Sequence, residues 1–359
     1  MRRVLLAAGC VGLVLGVSAN ALGAPPAPAD DGEVAGVARP AVERARLVEF
    51  IRALPTRRAA DGDEAHRAGL RAAEDLVIER LGALGLTPEA QEFTWRPRLR
   101  RDPNTPLPEP STWRNILVEF PGTDLAHEVV VVGAHIDAVP DSPGADDNAS
   151  GASALLELAR VLKDEPRRRT LRLIFFNLEE VGLVGSRAYV ESLDDAARAR
   201  IVGMVSLEML GYFSDAPGSQ KSPIPPIEGV WDPPTVGDSI ALVGLARDRA
   251  FSTRLAEAMV EAEPRMKVTR ADFLPVAVPD MMRSDHAPFV AAGLAGFMLT
   301  DTANFRNPHY HTPGDTLETL DLERYERVVR SVAGALVTLG NAASWVPAPV
   351  EPGTAGEGR

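Results

Sequence analysis

A histidine and an aspartate, His135 and Asp137, close the apolar run at 128–133, and Asp146 and Asp147 follow in a Pro/Gly bend. Glu179 and Glu180 end the next strong apolar run, Glu208 stands just past a third, and His311 lies in a late loop. Imidazoles and carboxylates are metal ligands, and strand ends are where an α/β sheet keeps its site. Converging on one crevice, these groups suit a cocatalytic metal hydrolase, in which two ions roughly 3.5–4 Å apart need an anionic bridge, terminal ligands and room for a water. A short carboxylate in the turn before a helix can offer one oxygen to each ion; Asp147 suits that bridge, with Asp146 as the alternative. His135 and Glu208 then serve one ion, and Glu180 and His311 the other. Asp137 is expected behind His135, accepting its second ring hydrogen and fixing the nitrogen that faces the metal. Adjacent side chains diverge in a bent strand-to-loop segment. Glu180 can therefore ligate while Glu179 holds the water, takes its proton and later protonates the leaving amine. His286 and His309 lie in neighbouring candidate loops, whereas His66 and His127 read as solvent-facing.

The elements that must position these groups alternate as a mostly parallel sheet requires. Helices are expected over 42–54 and 64–84, strands over 91–95 and 115–120, and a ligand-bearing strand over 128–133. A helix over 149–162, a strand over 171–176, a helix over 183–193 and a strand over 201–207 follow. Runs so apolar belong in a sheet covered on both faces, because a half-exposed strand would alternate. Proline-rich residues 96–110 and 212–236 read as irregular, as does 264–282. Asp238 is expected to cap a helix reaching residue 260, a strand covers 296–299, and a helix with a buried stripe closes the domain over 321–339.

A chain of 359 residues that is 45% hydrophobic and 25% charged can bury a substantial core. Its net charge of -12 argues against a nucleic-acid or anionic-membrane surface. Arg2 and Arg3, an apolar core and Ala19-Asn20-Ala21 read as an export signal over 1–21, implying a periplasmic or secreted protein of bacterial type. A lipoprotein reading would use the single cysteine, Cys10. The apolar core is shorter than the ~20 residues of a membrane span, and no stable span is expected in the mature form. Residues 22–40 read as a flexible lead-in, 41–110 as an N-terminal helical extension with an irregular loop packed on the core, 111–345 as the catalytic domain and 346–359 as a flexible tail.

The motifs His135-Ile136-Asp137, Gly144-Ala145-Asp146-Asp147-Asn148-Ala149-Ser150-Gly151, Glu179-Glu180-Val181-Gly182, Ser284-Asp285-His286 and Tyr310-His311-Thr312-Pro313-Gly314-Asp315-Thr316 together resemble the M28 family of zinc peptidases, which includes aminopeptidases and glutaminyl cyclases. The resemblance spans residues 115–339. It implies a three-layer α/β sandwich of the phosphorylase/hydrolase-like type around a mostly parallel mixed sheet, two zinc ions, Asp147 as bridge, Glu179 as base, and a short peptide or other amide as substrate. Tyr310 is similar to a tyrosine that holds the developing oxyanion. The chain departs from well-known family aminopeptidases at Glu208, where they carry an aspartate that also receives the substrate amine. An aminopeptidase is the leading expectation. A carboxypeptidase, a non-peptide amidohydrolase or a glutaminyl-peptide cyclotransferase are the alternatives, and a non-catalytic binding module a remote one.

Overall fold

The central strand-forming runs in this chain are apolar at nearly every position, so both faces must be covered, and they are. The computed structural model describes residues 41–97 and 109–343. The expected signal segment 1–21, lead-in 22–40, residues 98–108 of the proline-rich stretch and the tail 346–359 lie outside the described residues. In chain order the elements are α1 (Arg44–Ala53), α2 (Glu64–Ala83), β1 (Glu89–Trp95), β2 (Ser111–Phe120), β3 (Leu125–His135), α3 (Gly151–Leu162), β4 (Arg169–Phe176), α4 (Val184–Ser192), α5 (Asp195–Arg200), β5 (Ile201–Glu208), β6 (Ile240–Val243), α6 (Arg249–Ala262), β7 (Val268–Ala271), α7 (His286–Ala291), β8 (Gly296–Thr300) and α8 (Leu322–Asn341).

One 8-stranded sheet runs in the order β1-β2-β4-β3-β5-β8-β6-β7. Its centre, β4-β3-β5-β8, is parallel, while β2 joins antiparallel at one side and the parallel pair β6 and β7 joins antiparallel to β8 at the other. Period-two alternation sends Val130, Val132 and Ala134 of β3 to one face with residues of α1, α2, α3, α6 and α8. Val129 and Val131 go to the other, with Tyr189 and Val190 of α4 and Phe289 of α7. The result is a three-layer sandwich. Truncating a central residue such as the fully buried Leu173 to alanine would cost about 2–5 kcal/mol in lost burial and cavity formation.

Local chemistry sets the helix limits. Asp63 caps α2 by accepting the backbone N–H of His66 at 3.0 Å, and Gly85, at φ 76°, turns the chain away at its end. Asp321 caps α8 in the same way through Arg324 at 2.9 Å. No helix among the described residues is long and apolar enough to cross a membrane.

Three expectations are corrected. The helix expected from Asp238 is instead β6 followed by α6: Ile240–Val243 is buried at all four positions beside β8. Gly244 follows where an added Cβ would come within 2.2 Å of Phe297, and Asp238 pairs with Lys267 rather than capping. The stretch 264–282 contains β7, which extends the sheet beyond β6. His66 is not solvent-facing: it is buried, with Nδ1 2.6 Å from Asp63 and Nε2 2.9 Å from the carbonyl of Pro140. His127 is exposed, its side chain 70% accessible.

Candidate active site

Parallel neighbours end on the same edge, so β3 delivers His135, β4 leads through Asn177 to Glu179 and Glu180, and β5 delivers Glu208 to one rim of the sheet. The turns that follow are tight. Leu178 (φ 59°), Met209 (φ 49°) and His311 (φ 58°) all take the left-handed conformation without being glycine, a cost of order 1–3 kcal/mol each that persists only where the surroundings impose it. Two buried carboxylates brace backbone around the site. Asp137 accepts the backbone N–H groups of Glu179 and Glu180, both at 3.1 Å. Asp315 accepts those of Asp146 at 2.8 Å and Asp147 at 3.1 Å. Asp315 lies within a motif noted in the sequence, but its part in the site is visible only in the fold.

The expected ligand groups are brought together in two sets around Asp147. Its Oδ1 is 3.3 Å from His135 Nε2, which is also 3.4 Å from Glu208 Oε2. Its Oδ2 is 3.0 Å from His311 Nε2, which is 3.1 Å from Glu180 Oε2. Glu179 diverges from its neighbour: a carboxylate oxygen of Glu179, a nitrogen of His135 and an oxygen of Glu208 lie within 4.8 Å of one another. Asp146 points elsewhere, accepting from Gly211 N–H and Asn307 Nδ2, both at 2.9 Å, and meeting the carboxyl of Asp301. It is a brace, and Asp147 alone of the pair faces both histidines. Behind His135, Nδ1 is 3.2 Å from the Asp137 carbonyl and 3.4 Å from its carboxylate. Ser284, which carried no sequence signal beyond its motif, donates to Glu208 Oε2 at 2.8 Å and thereby orients the longer acid. His286 is buried against the Met281 carbonyl, and burial lowers its pKa to about 4, so it stays a neutral structural residue. His309 packs edge-on to Tyr212 and joins neither set. Tyr310 stacks on His311, with ring centroids 3.8 Å apart, and its hydroxyl accepts from Arg283 Nη2 at 2.9 Å.

This crowding raises the proton affinity of several of the acids, while, against burial, His135 and His311 hold Asp147 below the usual carboxylate range. Burial and the Asp147 charge lift Glu180 to about 7, and burial with Asp146 nearby lifts Asp315 to about 7. Burial alone would lower His311, but the Asp147 and Glu180 carboxylates beside its Nε2 raise it to about 10. Each folded pKa is raised, so each group stabilises the metal-free fold below its ordinary pKa and withdraws that contribution as pH rises through the folded value. For the two carboxyls the window runs from about pH 4 to 7. A metal cation competes with the proton for Glu180 and so gains affinity across that window. Thermal unfolding at pH 5, 6, 7 and 8 should show the melting temperature of chelator-treated protein falling and the increment on adding zinc growing. A zinc increment that shrinks with pH would contradict this account of the site.

Residues 115–336 match the sequence profile of Peptidase family M28. The chain belongs to this family. Its relatives include the uncharacterized protein YfbL of Escherichia coli, 33% identical over 242 residues that cover 64% of this chain and 71% of the relative. Aminopeptidase YwaD of Bacillus subtilis is 33% identical over 214 residues, covering 59% of this chain and 40% of the relative. Among solved structures, a zinc aminopeptidase from Bacillus subtilis aligns with a TM-score of 0.64 at 19% identity, covering 85% of this chain and 97% of that one. A glutaminyl cyclase from Fimbriiglobus ruber aligns at 0.60 and 18%, covering 84% and 99%. At such identities the likeness is one of fold, which both activities share. Membership of M28 together with relatives named aminopeptidases supports a metallopeptidase.

Proposed function

We propose that this M28 peptidase is a zinc-dependent aminopeptidase using two zinc ions, one held by His135 and Glu208, the other by Glu180 and His311, with Asp147 between them. The observation that carries the reading is Asp147 itself, one oxygen beside each histidine. The donors suit zinc chemically. His135 Nε2, His311 Nε2 and Glu180 Oε1 are buried atoms with no hydrogen-bond partner, which is costly unless a cation takes them up.

Bound zinc would supply a water of lowered pKa and a Lewis acid for the scissile carbonyl. The chain's own groups do the rest. Glu179 is held well above the usual carboxylate range by burial and by Glu180, Glu208 and Asp285, with His135 opposing. Raised proton affinity makes Glu179 a stronger base towards water, and the proton it takes can pass to the leaving amine. Because Arg283 occupies a lone pair of the Tyr310 oxygen, the phenolic proton is free to be donated to the developing oxyanion. Glu208 and its acidic neighbours attract the substrate ammonium. Beside Glu208 and Tyr310 opens a cleft walled by Ile224, Trp231, Val243, Met281 and Met298. Its apolar walls support preference for an apolar N-terminal side chain. Trp231, from the expected insert, packs at a tilt against Phe273, ring centroids 5.1 Å apart, and so joins two irregular segments into one wall.

A mixed peptide library of free and N-acetylated members, analysed by mass spectrometry, tests the reading. Free peptides with apolar first residues should shorten one residue at a time from the N-terminus while acetylated ones persist, since acetylation removes the cationic anchor. Equal cleavage of both sets, or loss from the C-terminus, would reject an aminopeptidase, and ammonia release without shortening would support the cyclase reading. Export belongs to the same proposal, and a mature N-terminus near Leu22 is its expected mark.

A further inference from the structure

We propose that Arg58, in the segment between α1 and α2, is a positioning residue of the metal centre, its guanidinium fixing both ends of the loop that carries Asp137 and leads into Asp147. The inference rests on the metal-centre reading above and concerns a part of the chain upstream of the family match at 115–336.

Arg58 is 2% exposed. Its Nε donates to the carbonyl of Ile136 at 2.8 Å, Nη1 to those of Pro143 and Pro55, and Nη2 to that of Gly144 at 2.6 Å. Ile136 stands between His135 and Asp137, and Gly144 opens the turn that ends in Asp147. One rigid planar group therefore spans a loop whose two ends bear site residues, a task for which the fixed fork of arginine is suited and a lysine is not. The surrounding backbone repeats the contact. The Arg58 carbonyl accepts the N–H of Ala138 at 2.9 Å, and His66 reaches the Pro140 carbonyl at 2.9 Å. The fit is close on both sides. Gly144 is at φ 63°, and a Cβ there would come 2.6 Å from Arg58 Nη2; a Cβ on Gly69 of α2 would come 1.8 Å from the carbonyl of Arg57. The segment is thus wedged between α2 and the site.

All these partners are carbonyls, so the role is geometric. The guanidinium stays charged, as arginine does in proteins. Burial lowers its pKa while Asp315, Asp137, Asp147 and Glu180 oppose the shift, which places the charge within reach of the site acids. That charge calms the metal-free acids and by itself works against a cation. The benefit to metal binding must come from holding Asp137 and Asp147 in place, as groups behind metal ligands commonly do.

Zinc affinity measured against a competing chelator, well below the unfolding temperature, separates these contributions in Arg58→Lys and Arg58→Met. Arg58→Lys keeps the charge and loses the fork. It should bind zinc ~10–100-fold more weakly, in the range typical for groups behind a metal's ligands, and change the visible spectrum of the cobalt-substituted protein. Leu70→Ala, in the buried face of α2, is the control for lost stability and should keep wild-type affinity and spectrum while melting lower. Folded Arg58→Lys with wild-type affinity and spectrum would overturn the proposal, as would an equal loss of affinity in Leu70→Ala. Should Arg58→Met fail to fold, the lysine variant decides. Wild-type protein that takes up no zinc would instead overturn the metal centre itself.

Discussion

Glu179→Gln should retain its zinc and lose ~10²-fold or more in turnover, the range expected when a general acid/base is removed. The amide keeps the shape and hydrogen-bonding capacity of the acid but cannot receive a proton from water. Metal content should be unchanged because the two His/carboxylate pairs flanking Asp147 do not include Glu179. The turn is held by Asp137 through the Glu179 backbone N–H, so the substitution leaves that support in place. Elemental analysis beside steady-state kinetics checks both halves. A zinc-loaded variant with wild-type turnover would remove Glu179 from the mechanism, and Glu180 would then have to be reconsidered.

The second large effect concerns the metal itself. Wild-type protein should contain about two zinc ions per chain, and His311→Ala about one, with turnover falling by at least ~10²-fold, since a two-metal site loses its clamp when one ion goes. His311 is the better choice for the experiment because its side chain is 33% exposed and its loss leaves little buried void. His135 is 1% exposed and sits between Asp147 and Glu208, so His135→Ala should empty the other half of the site and also destabilise the fold. Two ions retained in His311→Ala, or full activity with one, would break the proposed pairing of ligands.

Much of this molecule could be read before any tertiary contact was known. The core strands were legible because a parallel strand covered on both faces is apolar throughout, and the long helices because their apolar stripe recurs at helical spacing. The same logic brought the candidate ligands together, since side chains that follow parallel strands emerge at one rim. His135, Glu180 and Glu208 could be named as candidates from residue type and strand-end position, and His311 from residue type in a late loop. Short apolar runs were not decidable. Ile240–Val243 suits one turn of a buried helix as well as a strand, and only its pairing with β8 and β7 made it β6. Adjacent acids were equally ambiguous: which of Asp146 and Asp147 faces the histidines depends on the turn that Asp315 holds, 168 residues away from Asp147. Buried residues whose partners are backbone carbonyls leave no pattern at all. Nothing in Arg57-Arg58 or in a lone His66 distinguishes them from a solvated surface; only the fold, by closing α2 and its preceding segment over the 136–144 loop, removed water and left those carbonyls as the partners within reach.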